Sequence, residues 1–124
     1  MTKSPYEYLS EKDLEVWNKS KDCNCGEQDC KEKHKLCALC NHRVLFEAYI
    51  ECEDDDEINW NIDHIIPKIR FEELMHIATT RGIHDIDDLK NLQLTHVHCN
   101  IIKANIFNNN YENGFGLIIN QNYK

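Results

Sequence analysis

Two pairs of soft metal-binding side chains stand far apart in the chain: Cys37-Ala-Leu-Cys40 and His96-Val-His-Cys99. In each pair two residues intervene, a gap that lets both side chains of one knuckle reach a single ion. Together the pairs offer three thiolates and one imidazole, the ligand set of a closed, tetrahedral structural zinc site. Repetition of the two-residue gap favours His96 over His98 as the fourth ligand, with His98 left open as the alternative. A chain of 124 residues gains much from such a staple, because structural zinc contributes about 10–16 kcal/mol of apparent binding energy. A denser cluster, Cys23, Cys25, Cys30 and His34, follows the pattern C-x-C-x4-C-x3-H. It reads equally as a second zinc site or as reduced, solvated thiols. Cys52 is left over and is expected to pack as a small apolar residue.

A second constellation carries harder chemistry. Asn61-Ile-Asp63-His64-Ile-Ile-Pro67 sets a carboxylate beside an imidazole at the end of an apolar strand. Asn91-Leu-Gln-Leu follows, and Asn100 stands directly after the second metal-ligand pair. An imidazole with an ordinary pKa of about 6.5 can take a proton from water at neutral pH. Neighbouring residues of a regular strand point to opposite faces, so Asp63 and His64 address one group only if the strand twists or ends there.

Three segments, Cys37-x-x-Cys40, Asp63-His64-Ile65-Ile66-Pro67 and Asn91-Leu-Gln-Leu-x-His96-x-x-Cys99-Asn100-x-x-Lys103, together resemble the HNH endonuclease family, the ββα-metal nucleases. The likeness covers residues 36–105. It departs from the common pattern at His96, where a Cys is frequent, and at Asn100, where many members carry His; this is an H-N-N version. The resemblance implies an α+β chain with a small ββα-metal fold stapled by zinc. It implies a metal-dependent endonuclease that hydrolyses phosphodiester bonds in double-stranded DNA. His64 would be the general base, and Asn91 would hold its ring in one orientation and tautomer. Asp63 and Asn100 would supply oxygen ligands to one catalytic cation, and oxygen donors with water favour Mg²⁺ or Mn²⁺. That cation would bridge the scissile phosphate and the departing 3′ oxygen, leaving 5′-phosphate and 3′-hydroxyl ends. Lys103, one turn after Asn100, would contact phosphate, set against the plainer reading of a solvated helix lysine.

Several elements must position these groups. Ser10 with Asp13 resembles a capping box that opens a short helix, and Leu14 and Trp17 share one of its faces. Residues 23–40 suit an irregular, metal-organised knuckle. Residues 43–50 (RVLFEAYI) and 58–66 (INWNIDHII) read as strands. Between them six of the seven positions from Glu51 to Glu57 are carboxylates, which suggests a hairpin with a solvated acidic tip; the spacing is not that of an EF-hand. Phe71, Leu74, Met75 and Ala78 mark one face of a helix ending before Gly82. Asp85, Asp87 and Asp88 form a polar link. Val97, Ile101 and Ala104 have helical spacing, and the Asn-rich tail has a turn at Asn113–Gly114 and ends as a loose segment or an edge strand. The expected organisation is an N-terminal extension with a helix and a Cys-rich knuckle at 1–33, a nuclease domain at 34–107 and a tail at 108–124.

Charge bounds the partners. Fourteen Lys and Arg against 22 Asp and Glu give a formal charge of −8, which excludes a basic field over the whole protein but not a local basic face. Lys68, Arg70, Lys90 and Lys103 flank the expected site. No apolar run approaches the roughly 18 residues of a membrane span, and no signal-like segment opens the chain, so cytoplasmic residence is the default. Two other functions stay open: a zinc-organised module that binds nucleic acid or protein without catalysis, and a nuclease subunit active only with a partner. Homodimer or larger assembly, recognised sequence, and nicking against double-strand cleavage are not written in the chain. If phosphate contacts dominate binding, cleavage of DNA falls steeply with added salt; a rate independent of ionic strength contradicts that expectation.

Overall fold

A computed structural model describes residues 4–50 and 59–119 of the chain. They form a small mixed α/β unit with two antiparallel two-stranded sheets. Helix α1 (Glu11–Lys19) opens on the expected capping box: the Ser10 hydroxyl accepts from the Asp13 amide at 3.2 Å and the Asp13 carboxylate accepts from the Ser10 amide at 3.1 Å. Acidic residues in its first turn and Lys19 in its last complement the helix dipole. A single turn, α2 (Cys30–Lys33), leads into β1 (His34–Leu36), which pairs with β2 (Arg43–Leu45). The tight connection between these strands carries Cys37 and Cys40, and closes with the Cys37 amide donating to the His42 carbonyl and Asn41 in a left-handed conformation. Next come β3 (Trp60–His64), β4 (Leu92–His96) and, without a break, α4 (Val97–Lys103). β3 and β4 pair with Trp60 opposite His96 and Asp63 opposite Gln93.

The expected hairpin between 43–50 and 58–66 does not form. β2 pairs with β1 and β3 with β4, and among the described residues the strand-type pairing between the two segments is limited to a parallel bridge of Tyr49 and Trp60. The observed pairing has one clear consequence. Pairing β3 with β4 carries His96 and Cys99 to the β1–β2 turn, where Cys37 and Cys40 wait. The acidic run Glu51–Glu57, with Cys52 inside it, lies outside the described residues.

The main core joins α1, both sheets, the start of α4 and the tail. Trp17 of α1 lies 4.9 Å from Phe46 and 5.2 Å from Trp60 between ring centroids, and Tyr49 packs 4.9 Å from Trp60. Leu39, Val44 and Leu94 complete it, and Cys37, Cys40 and Cys99 are members of the same cluster. The Trp60 indole N–H donates to the Phe46 carbonyl at 3.0 Å, satisfying its polar tip. A smaller cluster forms where α3 (Met75–Thr80) packs Ala78 against Ile66 and Ile83, with Phe71 and Leu74 beside them. Gly82, at φ +75°, lets the chain leave α3.

Three expected faces are revised by packing. Met75 and Ile101 are exposed, so they do not belong to buried stripes. α4 instead buries Cys99 and Lys103, because those side chains meet the metal centre and β3. The described part of the tail, residues 108–119, is neither loose nor a strand. The Ile118 amide donates to the Leu39 carbonyl, the Asn113 side-chain amide donates to the Ala38 carbonyl, and Ile118 is buried. The Arg81 guanidinium reaches the carbonyls of Tyr111 and Glu112 and covers the Phe107 ring.

Trp60→Ala is expected to lower the unfolding free energy by about 3–5 kcal/mol, whereas Ile101→Ala changes it by less than about 0.5 kcal/mol. Urea unfolding of the two variants checks both.

Candidate metal centre and histidine site

Each ligand pair is presented by a change of direction in the backbone. Cys37 and Cys40 sit on the β1–β2 connection; His96 ends β4 and Cys99 lies in the first turn of α4. Their ligating atoms all lie within 4.8 Å of one another, and all four residues are buried. His96 Nδ1 is 3.4 Å from Cys40 Sγ, while Nε2–H donates to the Arg43 carbonyl at 2.8 Å. A carbonyl only accepts, so this bond leaves the Nδ1 lone pair facing the thiols. The amides of Leu39 and His96 both donate to Cys37 Sγ at 3.4 Å. His98 is exposed, so His96 is the imidazole of the cluster.

Electrostatics agree with a cation in this position. Hydrogen bonds from Cys40 and Cys99 hold the Cys37 thiol far below its ordinary range, and bonds to Cys37 and Cys40 push the Cys99 thiol far up. Burial works against a charged His96, but its bonds to Cys37 and Cys40 outweigh that and raise it to about 9. Three thiols and an imidazole are thus gathered in a buried space, where a divalent ion would take the place of their protons. The donor set, the mutual distances and the Nε2 bond all fit structural zinc.

The second constellation is divided by the strand pleat. Asp63 faces α4: its carboxylate accepts from Gln93 Nε2 at 2.8 Å and lies 3.4 Å from Lys103 Nζ. Asn100 also faces β3, donating to the Asn61 side chain at 3.3 Å. Asn61 and Asp63 alternate onto one face of β3, as Asn100 and Lys103 share one face of α4. Thr95, on the same face of β4 as Gln93, is fully buried, and its hydroxyl has no hydrogen-bond partner among the described residues. Lys103, expected at the surface against phosphate, is fully buried instead. Its ammonium donates to the His64 carbonyl at 3.0 Å and balances Asp63. Burial raises the Asp63 carboxyl, with Lys103 and Gln93 pulling it back; burial likewise lowers Lys103, with Asp63 opposing.

His64 points the other way, with its side chain 30% exposed. Its Nε2 lies 2.9 Å from Asp87 Oδ1. The hydrogen bond from His64 holds Asp87 below the usual carboxylate range, so Asp87 is ionised at neutral pH and acts as the acceptor. In neutral His64 the proton then sits on Nε2 and Nδ1 keeps a lone pair. Asp87 is the site residue that sequence reasoning passed over, because an aspartate in a polar link gives no sign of its distant partner.

Asn91 makes its side-chain hydrogen bonds elsewhere than to the His64 ring. Its side chain accepts from the Ile66 amide at 2.8 Å and donates to the carbonyls of Ile66 and Ile86, and its own carbonyl accepts from Ile65. Ile65 follows His64 and Ile86 precedes Asp87. Asn91 thus clamps the backbone beside both members of the pair. Of the expected basic face, Arg70 is bonded to Glu73 and to the Asn105 carbonyl, and Lys90 Nζ to the Gly82 carbonyl. Lys68 remains exposed and acts electrostatically on Asp87, as does Lys12, whose ammonium donates to the Asp87 carbonyl at 2.8 Å.

No family model, no curated protein and no solved structure matches this chain.

Lys103→Met leaves the buried Asp63 carboxylate without its counter-charge and is expected to destabilise the fold by about 3–5 kcal/mol. Combining it with Asp63→Asn is expected to restore most of that loss, because no uncompensated charge remains. Denaturant unfolding of the single and double variants forms the cycle; additive losses contradict a direct pair.

Proposed function

We propose that this chain is a metal-dependent DNA endonuclease of the HNH type, hydrolysing phosphodiester bonds with His64 as general base. The observation that carries the reading is the His64–Asp87 pair at 2.9 Å, at a solvent edge and on a frame closed by the Cys3His centre. An imidazole whose Nε2 proton is given to a carboxylate has Nδ1 directed to accept a proton from water. Asp87 positions the ring and offsets the charge that develops when His64 becomes protonated. Asn91 acts by holding the peptide segments that carry both. Lys12 and Lys68 supply positive charge beside the pair, where a phosphate group would approach.

The same reading assigns Asp63 and Asn100 to a catalytic Mg²⁺ or Mn²⁺. Their donor chemistry suits a hard cation, both belong to the β3–α4 interface, and the unpartnered Thr95 hydroxyl lies on the neighbouring strand's matching face. When bound, such an ion polarises the phosphoryl oxygen and stabilises the departing 3′ oxygen. The Lys103 ammonium holds the position beside Asp63 and must withdraw for a cation to enter there. That contact is also the observation favouring the second reading, a zinc-organised module that binds nucleic acid or protein without cleaving it. In that reading Asp63 and Lys103 remain a structural pair. A nuclease subunit needing a partner to displace Lys103 is a form of the first reading.

Supercoiled plasmid incubated with the protein in Mg²⁺, Mn²⁺, Zn²⁺ or chelator separates these readings. Nicked or linear product is expected with Mg²⁺ or Mn²⁺ and none with chelator. His64→Ala is expected to slow cleavage by about 10²–10⁴-fold while zinc content and folding stay unchanged. Absence of product under every ion overturns the reading of a nuclease active by itself, and full activity in His64→Ala overturns the assignment of His64 as the base. Asp87→Asn is expected to reduce the rate less than His64→Ala and to shift the pH profile, since it alters the base without removing it.

A further inference from the structure

We propose that Cys23, Cys25, Cys30 and His34 hold a second zinc ion, independent of the one in the core. Their ligating atoms lie within 4.8 Å of one another, the same limit met by the buried centre. Cys25 Sγ is 3.5 Å from Cys30 Sγ and 3.4 Å from His34 Nδ1. The convergence of an imidazole nitrogen with the sulfurs is what a cation requires and what a disulfide does not. His34 repeats the arrangement of His96: Nδ1 faces the thiols, while Nε2 lies 3.6 Å from the Glu27 carboxylate. An oxygen partner on the remote nitrogen fixes the ring for metal binding.

The argument from folding is independent of these distances. From Lys21 to Lys33 no side chain is buried. There is no apolar surface in this stretch to offset the entropy lost in ordering it. The segment nevertheless turns three times through left-handed backbone, at Asn24, Gly26 and Asp29, and two of these carry a Cβ that disfavours that conformation. Its helix α2 is a single turn, too short to persist by itself. A metal ion drawing together both ends of the segment supplies the missing free energy.

Position gives this centre a role. His34 is the first residue of β1 and lies opposite Leu45 of β2, while the core centre takes Cys37 and Cys40 from the far end of the same hairpin. Arg43 links the two: its carbonyl accepts from His96, and its guanidinium lies 3.8 Å from Glu27. Three thiolates and a neutral imidazole around Zn²⁺ leave a net negative charge, which the Arg43 guanidinium is placed to offset. The outer centre differs in access. Cys25 is exposed, and a solvent-open hollow of about 510 Å³ touches Cys30. Its ion therefore exchanges faster than the buried one.

Metal analysis of the full-length protein is expected to find two zinc ions per chain. The Cys25→Ser/Cys30→Ser variant, altered only at exposed or half-exposed positions, is expected to hold one, with unchanged Trp fluorescence. One zinc in the wild type, or two in the variant, overturns the proposal. Cobalt titration of the metal-free wild type provides a check that does not depend on the variant. Two equivalents should develop thiolate charge-transfer and tetrahedral d–d absorption, and saturation at one equivalent sinks the second site. Neither readout depends on DNA cleavage, so this proposal and the nuclease reading fail separately.

Discussion

Four soft donors brought to one point inside the hydrophobic core are the constraint on which the rest of this structure depends. Cys37, Cys40 and Cys99 belong to the same apolar cluster as Trp17, Trp60 and Leu94. The candidate metal site and the apolar core are thus built in part from the same residues. Closing one closes the other. A chain this short has little interior to spare, and the observed strand pairing gathers the two Cys/His pairs at one point rather than following sequence proximity. β4 must end at the β1–β2 turn, so β3 pairs with β4. The helix that follows β4 must then start at the same place and lie across β3.

That placement sorts the polar residues of β3 by pleat. Odd positions, Asn61 and Asp63, turn toward α4 and meet Asn100 and Lys103. His64 turns outward and meets Asp87. The two halves are joined through the backbone: the buried ammonium of Lys103 donates to the carbonyl of His64. A change in charge beside Asp63 is therefore felt one peptide away from the exposed imidazole. Gln93 extends the connection further, since its amide bonds both the Asp63 carboxylate and the Asn113 carbonyl of the tail.

What was legible in the chain was local or chemically exclusive. The capping box at Ser10 and Asp13 is decided within four residues, and it formed as read. The paired two-residue gaps picked out the four residues that gather in the core, because few other arrangements use such spacing. Elements whose partners lie far away were misread. Strand 43–50 took β1 instead of 58–66, because alternation reports which face is apolar and not which strand lies alongside. Val97, Ile101 and Ala104 showed helical spacing, but that spacing did not say which face of α4 is buried; Cys99 and Lys103 turn inward and Ile101 is 70% exposed. Lys103 looked like a surface lysine because sequence carries no sign of the Asp63 carboxylate across the interface. Asp87 was invisible for the same reason.

The order in which the chain is made acquires meaning from the closure between Cys40 and His96, which stand 56 positions apart. At translation speeds of about 5–20 residues per second, the first thiol pair leaves the ribosome roughly three to ten seconds before its counterparts. During that interval the nascent β1–β2 turn has no finished coordination shell and no α4 above it. The closure of the core waits until β4 has been made, and until then the early thiols stand without their later partners.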